Sequence, residues 1–308
     1  MEGAREVSGF LRRTWRVAAV EWLAALRNRR ALVTTLLFVA VSGLVMYGAV
    51  SLFAALEREV VSLLKLPAAE GTGSVTMTLW KSTAFSHVVE HLCDSSLVFA
   101  DVRGRHPILL AYALFIFQIA PVLTLVVSSS RICDDVRSGT ARYWLVRVTR
   151  TEWSLGKFAG EALMLAVAML AGALAAWGVA ALRLAGSDGL RLLPGILDWT
   201  VRAWVYAFAW LGLFTGLSHL AKSGGKAMAL SILAMMGAAA WPVMLRNFAA
   251  DEGVLSGLSH LDAFVPSSAV WSLWRRSPGQ LFLGVTHLVA LAFLYLSAGA
   301  ACFRRRDV

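Results

Sequence analysis

Residues 107–130 read PILLAYALFIFQIAPVLTLVVSSS, and residues 131–157 continue RICDDVRSGTARYWLVRVTRTEWSLGK. The first stretch carries no charged side chain, and it exceeds the roughly 20 apolar residues that a helix needs to cross the hydrocarbon core of a bilayer. The second stretch is dense in charge of both signs. So abrupt a change marks the end of a membrane span near residue 130 and a polar connection after it. Working outward, five more long apolar runs appear, giving six spans at about 31–56, 107–130, 158–182, 199–221, 227–246 and 279–303. The chain is thus expected to be an all-α, polytopic membrane protein. Its composition agrees, because 58% of the 308 residues are apolar and only 16% are charged, against roughly 25% charged in soluble domains.

The first run is far longer than the 7–15 residue core of a secretion signal and follows a basic segment, so it is expected to remain in the mature chain. Cys93, Cys133 and Cys302 lie in three different segments and imply no disulfide framework.

Placing both termini on one side groups residues 1–30, the 131–157 loop, the 222–226 turn and the C-terminus. These hold 18 of the 29 Lys and Arg residues in distinctly less chain than the opposite loops. Positive charge near span ends marks the cytoplasmic face, so both termini are expected in the cytoplasm. The net charge of +10 then lies on that side, where it attracts anionic lipid headgroups. No basic face is interleaved with stacking aromatics outside the membrane elements, which argues against nucleic acid as a partner. Trp199, Trp204, Trp241, Trp271 and Trp274 fall near outer boundaries, as an interfacial aromatic belt would.

Residues 6–28 alternate Phe10, Val17, Val20 and Trp22 with Arg12, Arg13, Arg16 and Glu21, the pattern of a helix lying in the membrane interface. The outer segment 57–106 is longer than a turn requires and suggests a small external cap, with helix-compatible stretches at 57–66 and 80–99. Residues 246–278 suggest short re-entrant or interfacial helices. In the third span Gly160, Gly172 and Gly178 permit close helix packing. Gln118, Glu161 and His287 are polar groups in costly surroundings, and such groups are functional candidates. His287 and Gln118 are candidates for a transport path, whereas Glu161 follows Lys157 by four residues, within pairing reach.

In the 131–157 loop, Val136, Ala141, Trp144 and Leu145 can share one face of a short helix, which Gly139 and Thr140 would loosen or cap, while Arg137, Arg142 and Arg147 point elsewhere. The ordered set Asp135, Gly139, Thr140, Trp144, Leu145, Arg150, Gly156 and Lys157 resembles the type-2 ABC transporter permeases, and the resemblance extends over essentially the whole chain. One departure is Arg147, at a place where members often carry proline.

The resemblance implies six spans preceded by an amphipathic elbow helix over residues 1–30, here ending VEWLAALRNRR. It also implies that residues 131–157 hold a cytoplasmic coupling helix, which docks on a separate nucleotide-binding subunit. Further implications are a second permease copy as homodimer or heterodimer, a periplasmic partner as a candidate, and residence in the inner membrane. The chain itself lacks a G-x-x-x-x-G-K-[ST] phosphate loop. It is therefore expected to be a non-catalytic permease subunit with no cofactor of its own. ATP and Mg would be bound by the partner ATPase, whose hydrolysis drives substrate export or transmembrane mechanical transmission.

A competing reading comes from HVVEH at 87–91. His87 and His91 share a helix face with Glu90 between them, the order found in inverted zinc peptidases. It would make the chain a membrane-embedded metal-binding or metal-dependent hydrolytic protein. No third ligand with its own motif is identifiable.

Overall fold

The computed structural model describes residues 2–64, 101, 105–184, 188–248 and 256–304, which contain helices and no strand. Helix α1 (Glu2–Arg27) leads into α2 (Arg29–Leu64), then α3 (Pro107–Ser128), α4 (Arg131–Ser138), α5 (Thr140–Leu145), α6 (Arg150–Arg183), α7 (Asp188–Arg191), α8 (Leu193–Leu220), α9 (Gly224–Phe248), α10 (Val270–Trp274) and α11 (Pro278–Arg304). Six segments are long and apolar enough to span a membrane, carried by α2, α3, α6, α8, α9 and α11.

The boundaries follow local chemistry. Asn28 separates α1 from α2, and its Oδ1 accepts from the Arg30 N–H at 2.9 Å, the N-cap function of a short polar side chain. Helix α3 opens with Pro107 in its first turn, where the missing N–H costs nothing. Ahead of it, His106 Nδ1 accepts from the Ile108 N–H at 3.3 Å. Helix α6 opens on a full capping box: Thr149 Oγ1 accepts from the Glu152 N–H, and Glu152 Oε2 accepts from the Thr149 N–H at 2.8 Å. The signature T-x-x-E therefore starts the third spanning helix at Arg150, so the last two turns of the polar connection are already helix.

Helix α8 is the centre of the bundle, with α3, α6, α9 and α11 packed around it. Polar pins fix its register: Tyr112 and Thr200 hydroxyls lie 2.8 Å apart between α3 and α8, and Trp204 Nε1 donates to Ala162 O of α6 at 3.0 Å. Helix α2 packs chiefly on α6, where Gly172 faces Phe38 and Ser42, while Gly178 has open space before it. Of the small residues noted in the third span, Gly160 and Gly172 admit a neighbouring helix and Gly178 does not.

At the end away from the 131–157 loop, the interfacial-belt reading of the tryptophans fails for two of them. Trp199 is fully buried and Trp274 nearly so. They pack together with ring centroids 4.8 Å apart, Phe117 lies against both, and Tyr206 packs on Phe117. Arg105 lies 4.5 Å and Arg202 5.4 Å from the Trp199 ring, close enough for cation–π attraction. Arg202 also donates to the carbonyls of Leu273 at 2.7 Å and Arg275 at 2.9 Å, and pairs with Asp198 at 2.8 Å. The two carbonyl bonds bring the segment after α9 back onto α8. That segment contains two 3-10 stretches, Ser256–Phe264 and Pro266–Ala269, and the single turn α10, in keeping with the short elements expected there.

Helix α2 absorbs the helix-compatible stretch expected at 57–66 as far as Leu64. The rest of the expected external cap, including 80–99 and the HVVEH motif of His87, Glu90 and His91, lies outside the described residues. Among the described residues no three His, Cys, Asp or Glu side chains gather in a metal-holding group.

Candidate functional site

The connection after α3 is two short helices rather than one. Gly139 has φ +78° and ends α4 in the left-handed region, where a residue without Cβ is at least strain. Helix α5 then starts in a new direction. The apolar face nevertheless survives the break. Val136, Ala141, Trp144 and Leu145 all turn inward onto a small core of Val17 from α1, Ile132 from α4, Trp153 from α6 and Phe303 from α11. A sequence pattern that suits one amphipathic helix suits two, because both present their apolar residues to the same floor.

Arg150 fastens this floor from the side. It donates to Phe303 O at 2.7 Å, near the last turn of α11, where a cation meets the negative end of a helix. Its guanidinium also lies 5.4 Å from the Phe303 ring, which stacks on Trp153 at 5.8 Å. Below α4, Cys133 Sγ lies 3.1 Å from Ser218 O and 3.4 Å from Ala221 O, holding α4 against the end of α8.

Gly156 and Lys157 face inward. A Cβ on Gly156 would come within 2.8 Å of Thr14 O in α1, and one on Gly160 within 2.9 Å of Glu21 Cβ. The spacing G-x-x-x-G on α6 thus lets the α1 backbone approach closely. Lys157 is 3% exposed, and its Nζ makes ion pairs with Glu21 at 2.7 Å and with Asp135. One buried ammonium therefore joins α1, α4 and α6. A second bridge, Arg13 Nε to Glu152 Oε1 at 2.7 Å, ties α1 to the capping box that starts α6. Glu161 takes no part in the Lys157 cluster; its Oε2 lies 3.5 Å from Thr215 Oγ1 in α8. Its four-residue spacing from Lys157 places it on the same helix face, but the ammonium is already engaged by two carboxylates.

What remains outside the floor forms a ridge. Arg137, Ser138, Gly139, Thr140, Arg142, Tyr143, Val146 and Arg147 are exposed. Val146 is 86% exposed. Ser138 and Thr140 hydroxyls lie 2.9 Å apart across Gly139. Arg147 lies over the Tyr143 ring at 4.4 Å and donates to its hydroxyl at 2.7 Å. A groove of 560 Å³ runs beside the ridge, bounded by Arg142, Leu145, Val146, Val148, Thr149 and Arg150.

Residues 15–308 match the family described as ABC-2 family transporter protein. The chain belongs to that family. No curated protein matches it. It is accordingly a multi-pass ABC-2 permease, the membrane component of an ABC transporter, and membership implies ABC ATPase subunits as its partners.

In this ABC-2 permease, the eight loop residues singled out in the sequence divide by position. Asp135, Gly156 and Lys157 lie in the internal brace, Trp144, Leu145 and Arg150 secure the floor, and Gly139 and Thr140 belong to the exposed ridge. Sequence reading missed Glu21, Arg13 and Glu152 as partners of that set, together with the exposed Tyr143 and Val146. Glu152 had a readable signal in T-x-x-E. Glu21 and Arg13 had none, because their partners lie more than a hundred residues away. The two path candidates are not brought together: Gln118 is exposed on α3, His287 is half-buried on α11, and the His287 Nε2 atom is buried without a hydrogen-bond partner.

Proposed function

We propose that the ridge of α4 and α5 is the docking surface for an ABC ATPase, and that the chain couples ATP hydrolysis by that separate subunit to export or to mechanical transmission across the membrane. The observation that carries this reading is Val146. Beside the exposed Tyr143 and rimmed by Arg142 and Arg147, it forms an apolar patch with a polar rim on a floor built from four elements, the form of an interaction surface. The brace supports the mechanical part. Force on α4 and α5 would reach α6 through the Asp135–Lys157 pair and α1 through Lys157–Glu21, so the loop would move with two long helices rather than bend alone. A complex of two permease chains and two ATPases fits the family, with ATP and Mg in the ATPases and this chain non-catalytic.

The positive-charge bias supports an orientation with the ridge and both termini in the cytoplasm of the inner membrane. Residues 1–30 act in this reading as the elbow, residues 131–157 as the coupling segment, and residues 31–308 as the six-span domain. A periplasmic partner would meet the 57–106 segment. The test is retention of the ATPase on the permease during purification, with ATP turnover of the retained complex measured in nanodiscs. Val146→Asp and Tyr143→Ala should abolish ATPase retention while leaving the thermal midpoint of the permease unchanged. Undiminished retention by both variants contradicts the assignment.

A further inference from the structure

A second cavity, of 560 Å³, lies at the loop end of the bundle beside the brace, between the first turns of α2, the last turns of α3, the start of α4, the middle of α6 and the start of α9. Its walls divide by chemistry. Toward the spans they are apolar, with Val33, Leu123, Val126, Met164 and Met228; toward the loop they include Asn28, Arg30, Ser129 and Arg131. Val33, Val126 and Met228 are also exposed on their helices, so the cavity opens sideways, where the membrane hydrocarbon lies, as well as at headgroup level.

Four ionised side chains line it, and two are already engaged. Asp135 pairs with Lys157. Asp134 accepts from the Ser130 hydroxyl at 2.8 Å and lies against Gly224, the first residue of α9, where the helix dipole favours negative charge. Among the described residues neither Arg30 nor Arg131 makes an ion pair with a carboxylate, and Arg131 interacts with Asp135 and Glu161 only at longer range. Arg131 commits only Nε, to Val127 O at 3.2 Å, which leaves its two terminal nitrogens. Guanidinium groups bind phosphate oxygens through paired N–H donors. Two of them at the polar end of an apolar slot that opens into a bilayer complement one ligand class, a phosphate diester bearing acyl chains.

We propose that this cavity binds a phospholipid from the adjoining leaflet, with its phosphate between Arg30 and Arg131 and one acyl chain along Val33, Val126 and Met164. The headgroup then bridges the start of α2 to the start of α4, next to the Lys157 brace. The site does not depend on the docking assignment, and it is tested without an ATPase.

The full chain is purified in dodecyl maltoside, and dioleoylphosphatidylglycerol is titrated in, with retained lipid read by native mass spectrometry. Parallel titrations use dioleoylglycerol, which lacks the phosphate, and inorganic phosphate as competitor. Loss of both guanidinium charges in Arg30→Gln/Arg131→Gln should weaken retention by about tenfold or more. Val126→Trp, which fills the slot, should abolish it with the thermal midpoint retained. Arg29→Gln, a neighbouring cation outside the cavity, should leave retention unchanged.

Equal loss in Arg29→Gln would mean general attraction to a basic surface and would overturn the proposal. So would equal retention of dioleoylglycerol, or displacement by inorganic phosphate at the lipid's concentration. If Val126→Trp changes the oligomeric mass and leaves lipid retention intact, the face belongs to a second copy of the chain and the proposal fails.

Discussion

Lys157 Nζ and Glu21 Oε2 meet at 2.7 Å although the residues are 136 positions apart in sequence. Their pairing, shared with Asp135, turns three helices at the loop end into one body. Buried ion pairs add little over a well-packed apolar substitute, but removing one member leaves a stranded charge. Lys157→Ala leaves two carboxylates facing each other, and the free energy of unfolding in mixed micelles should fall by about 3 kcal/mol. Glu21→Gln should cost less, since Asp135 still neutralises the ammonium. In the double variant the two costs should fall short of additivity, as they do for residues in direct contact.

At Gly156 α1 lies close against α6. A Cβ there meets Thr14 O at 2.8 Å, backbone that cannot swing aside. Gly156→Leu should therefore lift α1 from α6, at a cost of about 1–3 kcal/mol. Proteolysis at the Asn28 junction should accelerate. Gly178→Leu, at a position with open space before it, should leave the cleavage rate unchanged.

Gly139 has nothing within 4 Å of its notional Cβ, yet its φ of +78° is closed to most side chains. The effect of substitution is then conformational alone. Gly139→Val should destabilise the α4–α5 turn by about 1–2 kcal/mol, and Gly139→Asn, which tolerates the left-handed region, by less. Hydrogen exchange across Ser138–Arg142 measures the difference directly.

Arg202 holds the segment after α9 by two carbonyls, with Asp198 one turn earlier on α8 steadying its guanidinium. Hydrogen bonds to a charged group are each worth about 1.5–3 kcal/mol. Arg202→Met should raise hydrogen exchange across α10 while leaving α4 and α5 protected as before. Uniform loss of protection in both regions would mean that the outer and loop ends unfold together.

Much of this architecture was legible because membrane spans and caps are local. An uncharged run of 24 residues needs no partner to be read as a helix, and Thr149 with Glu152 marks a helix start from sequence alone. The inward face of Val136, Ala141, Trp144 and Leu145 was also legible, since periodicity reports which side is apolar. It does not report continuity; the local signal for that was Gly139, expected to loosen or cap the helix, and its left-handed backbone splits it in two. What stayed hidden was tertiary. Trp199 and Trp274 sit at span ends as lipid-facing tryptophans do, and only packing shows that they face each other. Glu161 is four residues from Lys157, but Glu21 and Asp135 are nearer to the ammonium, and nothing local announces them.

The docking assignment is tested most directly by a photo-crosslinking residue placed at position 146 of the chain in its native membrane complex. The expected result is a crosslink to a polypeptide carrying a nucleotide-binding phosphate loop, lost when the probe is moved to Leu182, which is equally exposed but at the opposite end of α6. A crosslink to that ATPase from position 182 and none from 146 would contradict it.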